Sequence, residues 1–174
     1  TLFRSSAASD VYKRQVIGEA PGADEDRQGK PFVGISGQLL DTILSCIHLS
    51  RTENNSKTGV YISNILNWRP PGNRTPTPAE IEIALPFIRR HIELVNPKIL
   101  ILCGGVSAKA LLNSDDSISR LRGKFHDYNN IQAIATYHPA YLLRTPAQKR
   151  AVWADMLMIQ EKMLEMGINP IPSS

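Results

Sequence analysis

Only two cysteines occur among the 174 residues, Cys46 and Cys103, far apart and each inside an apolar stretch. A disulfide scaffold or a cysteine-built metal site needs more than this, so both read as small buried hydrophobes in a reducing compartment. No apolar run approaches the ~18 residues of a membrane span. No basic segment leads into an apolar core with a small-residue cleavage site, which leaves the cytoplasm as the expected compartment and no membrane contact. There is no P-loop, and no G-x-G-x-x-G opens a helix after a strand, so the usual phosphate cradles of nucleotide-binding proteins are missing. Solenoid-length repeats and low-complexity tracts are absent as well.

The composition is that of an ordinary globular chain, 42% apolar and 21% charged, and the length fits one domain with a substantial core. The net charge of +4 suits a polyanionic partner, because lysine and arginine displace counterions from phosphates, but on its own it discriminates little.

Residues Thr1 to Gln15 show no hydrophobic periodicity and no turn chemistry before Val16-Ile17 enters a strand-like step. They are expected to be a truncated or wrongly joined segment without structural weight. The expected organisation is therefore a non-native segment at 1–15, one domain at 16–168 and a tail at 169–174. Within the domain, Gly18-Glu19-Ala20-Pro21-Gly22 reads as a turn followed by a polar loop, and Gln38 to Leu49 has helical spacing. Val60 to Ile65 reads as a strand, and the proline-rich stretch Trp68 to Pro76 as a rigid loop. Thr77-Pro78-Ala79-Glu80 opens a helix by a capping box, with Pro86 a kink and Ile81, Leu85, Ile88, Ile92 and Val95 on its apolar face. Lys98 to Cys103 and Ile131 to Thr136 read as buried strands. Thr145-Pro146-Ala147-Gln148 repeats the capping logic before a last helix that buries Val152, Met156, Ile159 and Met163. This alternation predicts a three-layer α/β domain whose central, mainly parallel four-stranded sheet is flanked by helices.

Ligands of open parallel sheets bind beyond the carboxyl ends of the strands. Four successive strand ends carry chemistry here: the acidic turn through Glu25-Asp26, then Asn64, then Gly104-Gly105-Val106-Ser107, then His138-Pro139-Ala140-Tyr141. Singly, each is more often a turn, a cap or a solvated cluster. Together they describe a site.

The wording of these segments resembles the family 4 uracil-DNA glycosylases over roughly residues 16 to 165. Gly18 to Gly22 with Glu25-Asp26, Gly29-Lys30-Pro31-Phe32-Val33-Gly34, Gly37-Gln38-Leu39-Leu40, Asn64, Arg69 to Arg74 and His138 to Arg144 follow the family's order. The resemblance implies an enzyme that flips uracil from DNA and hydrolyses its N-glycosidic bond, initiating base excision repair. It implies that Phe32 stacks on the uracil, that Asn64 reads its Watson–Crick edge, and that His138 faces O2. Glu25 is implied to hold water and stabilise the developing cation, while Gly18, Glu19, Ala20, Pro21 and Gly22 line the pocket. Ser107, Tyr141, Leu142, Leu143 and Arg144 are implied to contact DNA, with Leu142 and Leu143 as wedge. The implied partner is uracil-containing DNA, engaged by a monomer.

The sequence departs from the family at the 4Fe–4S cluster that these enzymes carry on four cysteines. Two ligands precede the first strand, where no cysteine occurs, and the others stand where this chain has Trp68 and Leu85. No metal or other cofactor is therefore expected, because such clusters need thiolates. Trp68 and Leu85 are expected to fill the vacated space by packing. Ala20 stands where the best-known uracil glycosylases place a water-activating aspartate, which leaves Glu25 for that work, helped by Asp26 or Glu19. The related branch that traps DNA through an inserted histidine loop does not fit, since Asp26 to Phe32 has no insertion and no histidine. Two rival readings remain: a non-catalytic DNA-binding relative with a degenerate pocket, against which Phe32, Asn64 and His138 all argue, and a nucleotide-binding α/β hydrolase.

Overall fold

A computed structural model describes residues 11–170; the expectations for 1–10 and 171–174 lie outside the described residues. Its centre is a five-stranded sheet in the order β2-β1-β3-β5-β4, built from β1 (Arg14–Gly18), β2 (Val60–Asn64), β3 (Ile99–Cys103), β4 (Phe125–Tyr128) and β5 (Ile131–Thr136). All neighbours run parallel except β4, which pairs antiparallel with β5. The mainly parallel three-layer architecture is as expected, with one strand more than the four read from the sequence. The added strand is a short edge element closed on β5 by Asn129-Asn130, both at positive φ (45° and 67°). Asparagine tolerates that left-handed backbone, which a two-residue hairpin of matching twist requires.

Strand residues alternate between two cores. Val16, Ile99, Ile101, Cys103 and Ile134 face one side, which is covered by α2 (Ile35–Ser45), α6 (Pro139–Arg144) and α7 (Lys149–Glu165). Ile17, Leu100, Leu102, Ala133 and Ala135 face the other, covered by α3 (Pro78–Val95), α4 (Gly105–Leu112) and α5 (Ile118–Leu121). Val152, Met156, Ile159 and Met163 are all buried on α7, as their spacing predicts. Thr145, however, makes no side-chain cap; a short 3-10 turn, Pro146–Gln148, intervenes. The capping box of α3 is formed in full: Glu80 N–H donates to Thr77 Oγ1 at 3.2 Å, and Thr77 N–H to Glu80 Oε1 at 3.0 Å. The helix continues through Pro86, which lies on its exposed side. Residues read as a polar loop instead form α1 (Ala23–Gln28), where Asp24, Glu25 and Asp26 occupy the first turn and complement the positive helix end.

The sheet starts two residues before the expected boundary at Val16. Arg14 pairs with Val60 and Ile99 although its side chain is fully buried. Its guanidinium donates to Met163 Sδ at 3.2 Å, to Ser56 O at 3.0 Å and to Ile168 O. Burial pulls its pKa down to about 10. Gln15 donates to Ser63 Oγ at 3.2 Å, while its Oε1 is buried without a partner among the described residues. Ladder bonds are made by backbone and do not depend on side-chain polarity, which is how two polar residues join the core strand.

The chain moves from β1 to β2 on one side and later to β3 on the other. The crevice beyond β1 and β3 is therefore the topological switch point of the sheet, the place where such folds bind ligands.

Candidate active site

Gly18 ends β1 directly beside Asn64, which ends β2. A Cβ on Gly18 would stand 2.4 Å from Phe32 Cζ and 2.5 Å from Asn64 Oδ1. Only the absence of a side chain lets the ring and the amide close on that point. The Phe32 ring stacks in turn on His138, with centroids 5.4 Å apart and planes 26° from parallel. All three groups line one cleft of about 490 Å³, together with Glu19, Ala20, Pro21, Gly22 and Glu25 from the first turn. Tyr141 and Arg144 of α6 line it as well. Gly18→Ala is expected to lower turnover by about tenfold or more by displacing ring and amide, since sub-ångström misplacement of binding groups is felt in the rate. Unaltered steady-state kinetics for that variant would show that the close approach is not needed.

Asn64 is 7% exposed, and its side chain makes no hydrogen bond to any described residue. A buried amide ordinarily has partners, so one left open into a cleft is available to a ligand. His138 caps α6: the Ala140 N–H donates to its Nδ1 at 3.1 Å. Burial pushes the imidazole pKa down to about 4, assisted by the Arg144 cation and opposed by Glu25. A neutral ring whose Nδ1 accepts must carry its proton on Nε2, which makes His138 a donor. The β3–α4 turn buttresses the ring, since Gly104 (φ 94°) would bring a Cβ within 3.1 Å of the His138 Cβ.

The two carboxyl groups of the cleft are driven apart. Burial acts to raise Glu25, but the backbone N–H groups of Gly34, Glu25, Val33 and Gly22 outweigh it and hold the carboxyl below its ordinary range. Val33 and Gly34 donate to its Oε1 at 3.1 and 3.2 Å. Glu19, lacking such donors, is raised by burial. Of the two, Glu25 is the carboxyl held more firmly in its anionic form, as cation stabilisation requires.

Gly18, close against the Phe32 ring and the Asn64 amide, is not itself among the residues lining the cleft, and three further expected site residues stand elsewhere. Ser107 is fully buried and donates back to the carbonyls of Cys103 and Gly104 at 3.0 and 3.2 Å, so no phosphate reaches it. Leu142 is wholly buried in the core under α6, because α6 must cover the sheet with one side chain per turn. Leu143 is 45% exposed but lies outside the cleft. Ser36, Asn73, Arg74 and Thr75 line the cleft without having been assigned to it. The Arg69 to Arg74 motif was the available signal for Asn73 and Arg74; Thr75, just past it, and Ser36 had none.

The loop after β2 is held differently from the packing expected of Trp68 and Leu85. Leu85 is half-buried against the core, but Trp68 is 40% exposed. Glu80 is the anchor: it accepts from Arg74 Nη1 at 2.5 Å, Thr77 N at 3.0 Å and Trp68 Nε1 at 3.3 Å, which hold its pKa down at about 2. Cys103 is buried in β3, its thiol pushed up to about 12 by desolvation. Cys46 is exposed at the end of α2, not buried as expected. With its two cysteines so placed, and Trp68 and Leu85 where the resemblance implies thiolate ligands, the residues present do not fit an iron–sulfur cluster. Among the described residues no group of three or more His, Cys, Asp or Glu side chains could hold a metal ion.

A model of the Uracil DNA glycosylase superfamily matches residues 11–157. The type-4 uracil-DNA glycosylase of Archaeoglobus fulgidus is 38% identical over 153 residues, covering 83% of this chain and 74% of that protein. The type-4 enzyme of Pyrobaculum aerophilum is 36% identical over 163 residues, 89% of this chain and 80% of that protein. That of Saccharolobus solfataricus is 37% identical over 156 residues, 84% and 69% respectively.

Proposed function

This chain belongs to the uracil-DNA glycosylase superfamily, and on that footing we propose that it releases uracil from DNA by hydrolysing the N-glycosidic bond. The observation that carries the reading is the Asn64 amide, on a residue only 7% exposed and with no hydrogen-bond partner among the described residues, open into one cleft with the Phe32 ring and the His138 donor. Its Oδ1 accepts from uracil N3–H and its Nδ2 donates to O4. The Phe32 ring supplies a stacking face worth about 1–3 kcal/mol. As the bond from N1 to C1′ breaks, its electron pair moves onto the uracil and charge builds on O2, where the His138 Nε2–H donates. The Glu25 carboxylate faces the cationic sugar, orients water for attack at C1′ and takes its proton.

Extruding the nucleotide costs a few kcal/mol of stacking and pairing, which a side chain filling the gap offsets. With Leu142 in the core, that role passes to Leu143, with Tyr141 and Arg144 beside it at the cleft. The enzyme works as a monomer on cytoplasmic DNA. Initiation of base excision repair follows from its product, an abasic site.

Incubation with uracil-containing single-stranded and duplex oligonucleotides, followed by alkaline cleavage, tests the reading. Strand scission at the uracil supports it; intact strands despite DNA binding would favour a non-catalytic relative. We further propose that it acts without the 4Fe–4S cluster of its relatives. An iron assay on the intact protein should give well below one iron per chain, and stoichiometric iron with visible sulfur-to-iron absorption defeats this.

A further inference from the structure

We propose that Arg51, outside the cleft, is a positioning residue for this reaction: its guanidinium clasps the segment that presents the Phe32 ring. The inference rests on the uracil-excision reading and names a group that reading does not use. Phe32 has φ 52°, a left-handed backbone that bulky L-residues enter only where their surroundings hold them. Arg51 supplies the hold. Its Nη1 donates to Pro31 O at 2.6 Å, and its Nη2 donates to Phe32 O and, at 3.3 Å, to Gly37 O. Among the described residues no backbone N–H of a turn, loop or cap donates to either the Pro31 or the Phe32 carbonyl. The guanidinium is oriented by Asp41 of α2, through Nε at 2.7 Å and Nη2 at 3.1 Å.

The other side of the peptide is closed by Gly37, where a Cβ would stand 2.0 Å from the Phe32 carbonyl oxygen. The segment is therefore pinned between a guanidinium fork and the backbone of α2, with its ring turned to Asn64 and His138. A lysine cannot reproduce this, because one ammonium lacks the planar fork that reaches adjacent carbonyls and a carboxylate together. Arg51 does not line the cleft, so it acts only through what it holds.

The test is a double-mutant cycle on single-turnover uracil release with Arg51→Ala, Phe32→Ala and the pair. Arg51→Ala is expected to slow release by about 10–100-fold, the usual penalty for a misplaced binding group. In the Phe32→Ala background the same change should matter by less than about threefold, because coupled sites are not additive. Affinity for duplex carrying an abasic-site analogue, which offers no base to stack, should stay within about twofold. Arg51→Lys should fall between wild type and alanine. Should Arg51→Ala melt below the assay temperature, Arg51→Lys carries the same cycle. Full additivity, or wild-type rates in the Arg51 variants, overturns the clasp. If the wild-type chain itself releases no uracil, the excision reading fails and the clasp falls with it.

Discussion

Replacing His138 with alanine is expected to slow uracil release by about 10²–10³-fold, the usual loss when one preorganised donor to a developing oxyanion is removed, worth about 3 kcal/mol. The size follows from the ring's protonation state. Ala140 N–H occupies Nδ1, and burial with Arg144 nearby keeps the ring neutral down to about pH 4. The donor at Nε2 is consequently present throughout the neutral range. Single-turnover rates should be flat from about pH 6 to 8, with no inflection near the ordinary histidine value of roughly 6.5. An acid requirement in that window would mean an imidazolium is the active form, contrary to the geometry. Stability carries the opposite signature. The unfolded chain binds a proton on this histidine below about pH 6.5 and the folded chain only near 4, so stability rises with pH between them. The contribution is fully present above pH 6.5 and is lost as pH falls toward 4, a change of at most about 3 kcal/mol. Chemical denaturation at pH 7 and pH 4.5 should show this loss in the wild type and a smaller one in His138→Gln.

What the sequence made legible depended on how local each determinant was. Asn64 and His138 could be placed because each follows a strongly apolar strand, and in a parallel sheet strand ends share one edge. The capping box at Thr77 and Glu80 is complete within four residues and was readable as written. Phe32 offered nothing local: its backbone conformation depends on Arg51, 19 residues away, and on Gly37. Only the resemblance pointed to it. Leu142 and Leu143 illustrate the opposite failure. Two adjacent leucines look equally able to enter DNA, but on a helix they face different directions, and α6 assigns the first to the core and the second to solvent. Strand β4 escaped because Phe125–Tyr128 is a short, half-buried edge whose one clear signal is the Asn129-Asn130 turn. At Trp68 the packing argument considered volume alone, whereas Glu80 holds the loop through three donors.

Converting Asn64 to aspartate should cost about 10³-fold on uracil and erode the discrimination against cytosine. Uracil presents an acceptor at O4 and a donor at N3, which one amide meets in a single orientation, each bond to a buried polar group being worth roughly 1–3 kcal/mol. The carboxylate has acceptors only. Facing O4 it loses a hydrogen bond and places like poles together in a site with little water, so the loss exceeds simple deletion. Cytosine presents an amino donor where uracil has O4, and that donor matches the carboxylate oxygen. The Asn64→Asp variant should therefore lose far more on uracil than on cytosine, and Asn64→Ala should lose specificity without reversing it. Competition assays on oligonucleotides carrying one or the other base would measure the ratio directly. Because Asn64 ends β2 in register with Gly18, with no described residue bonded to its amide, neither substitution breaks an interaction of the fold. Melting temperatures should stay near wild type, and a collapse in activity that tracked a collapse in stability would place Asn64 in the scaffold and not at the base.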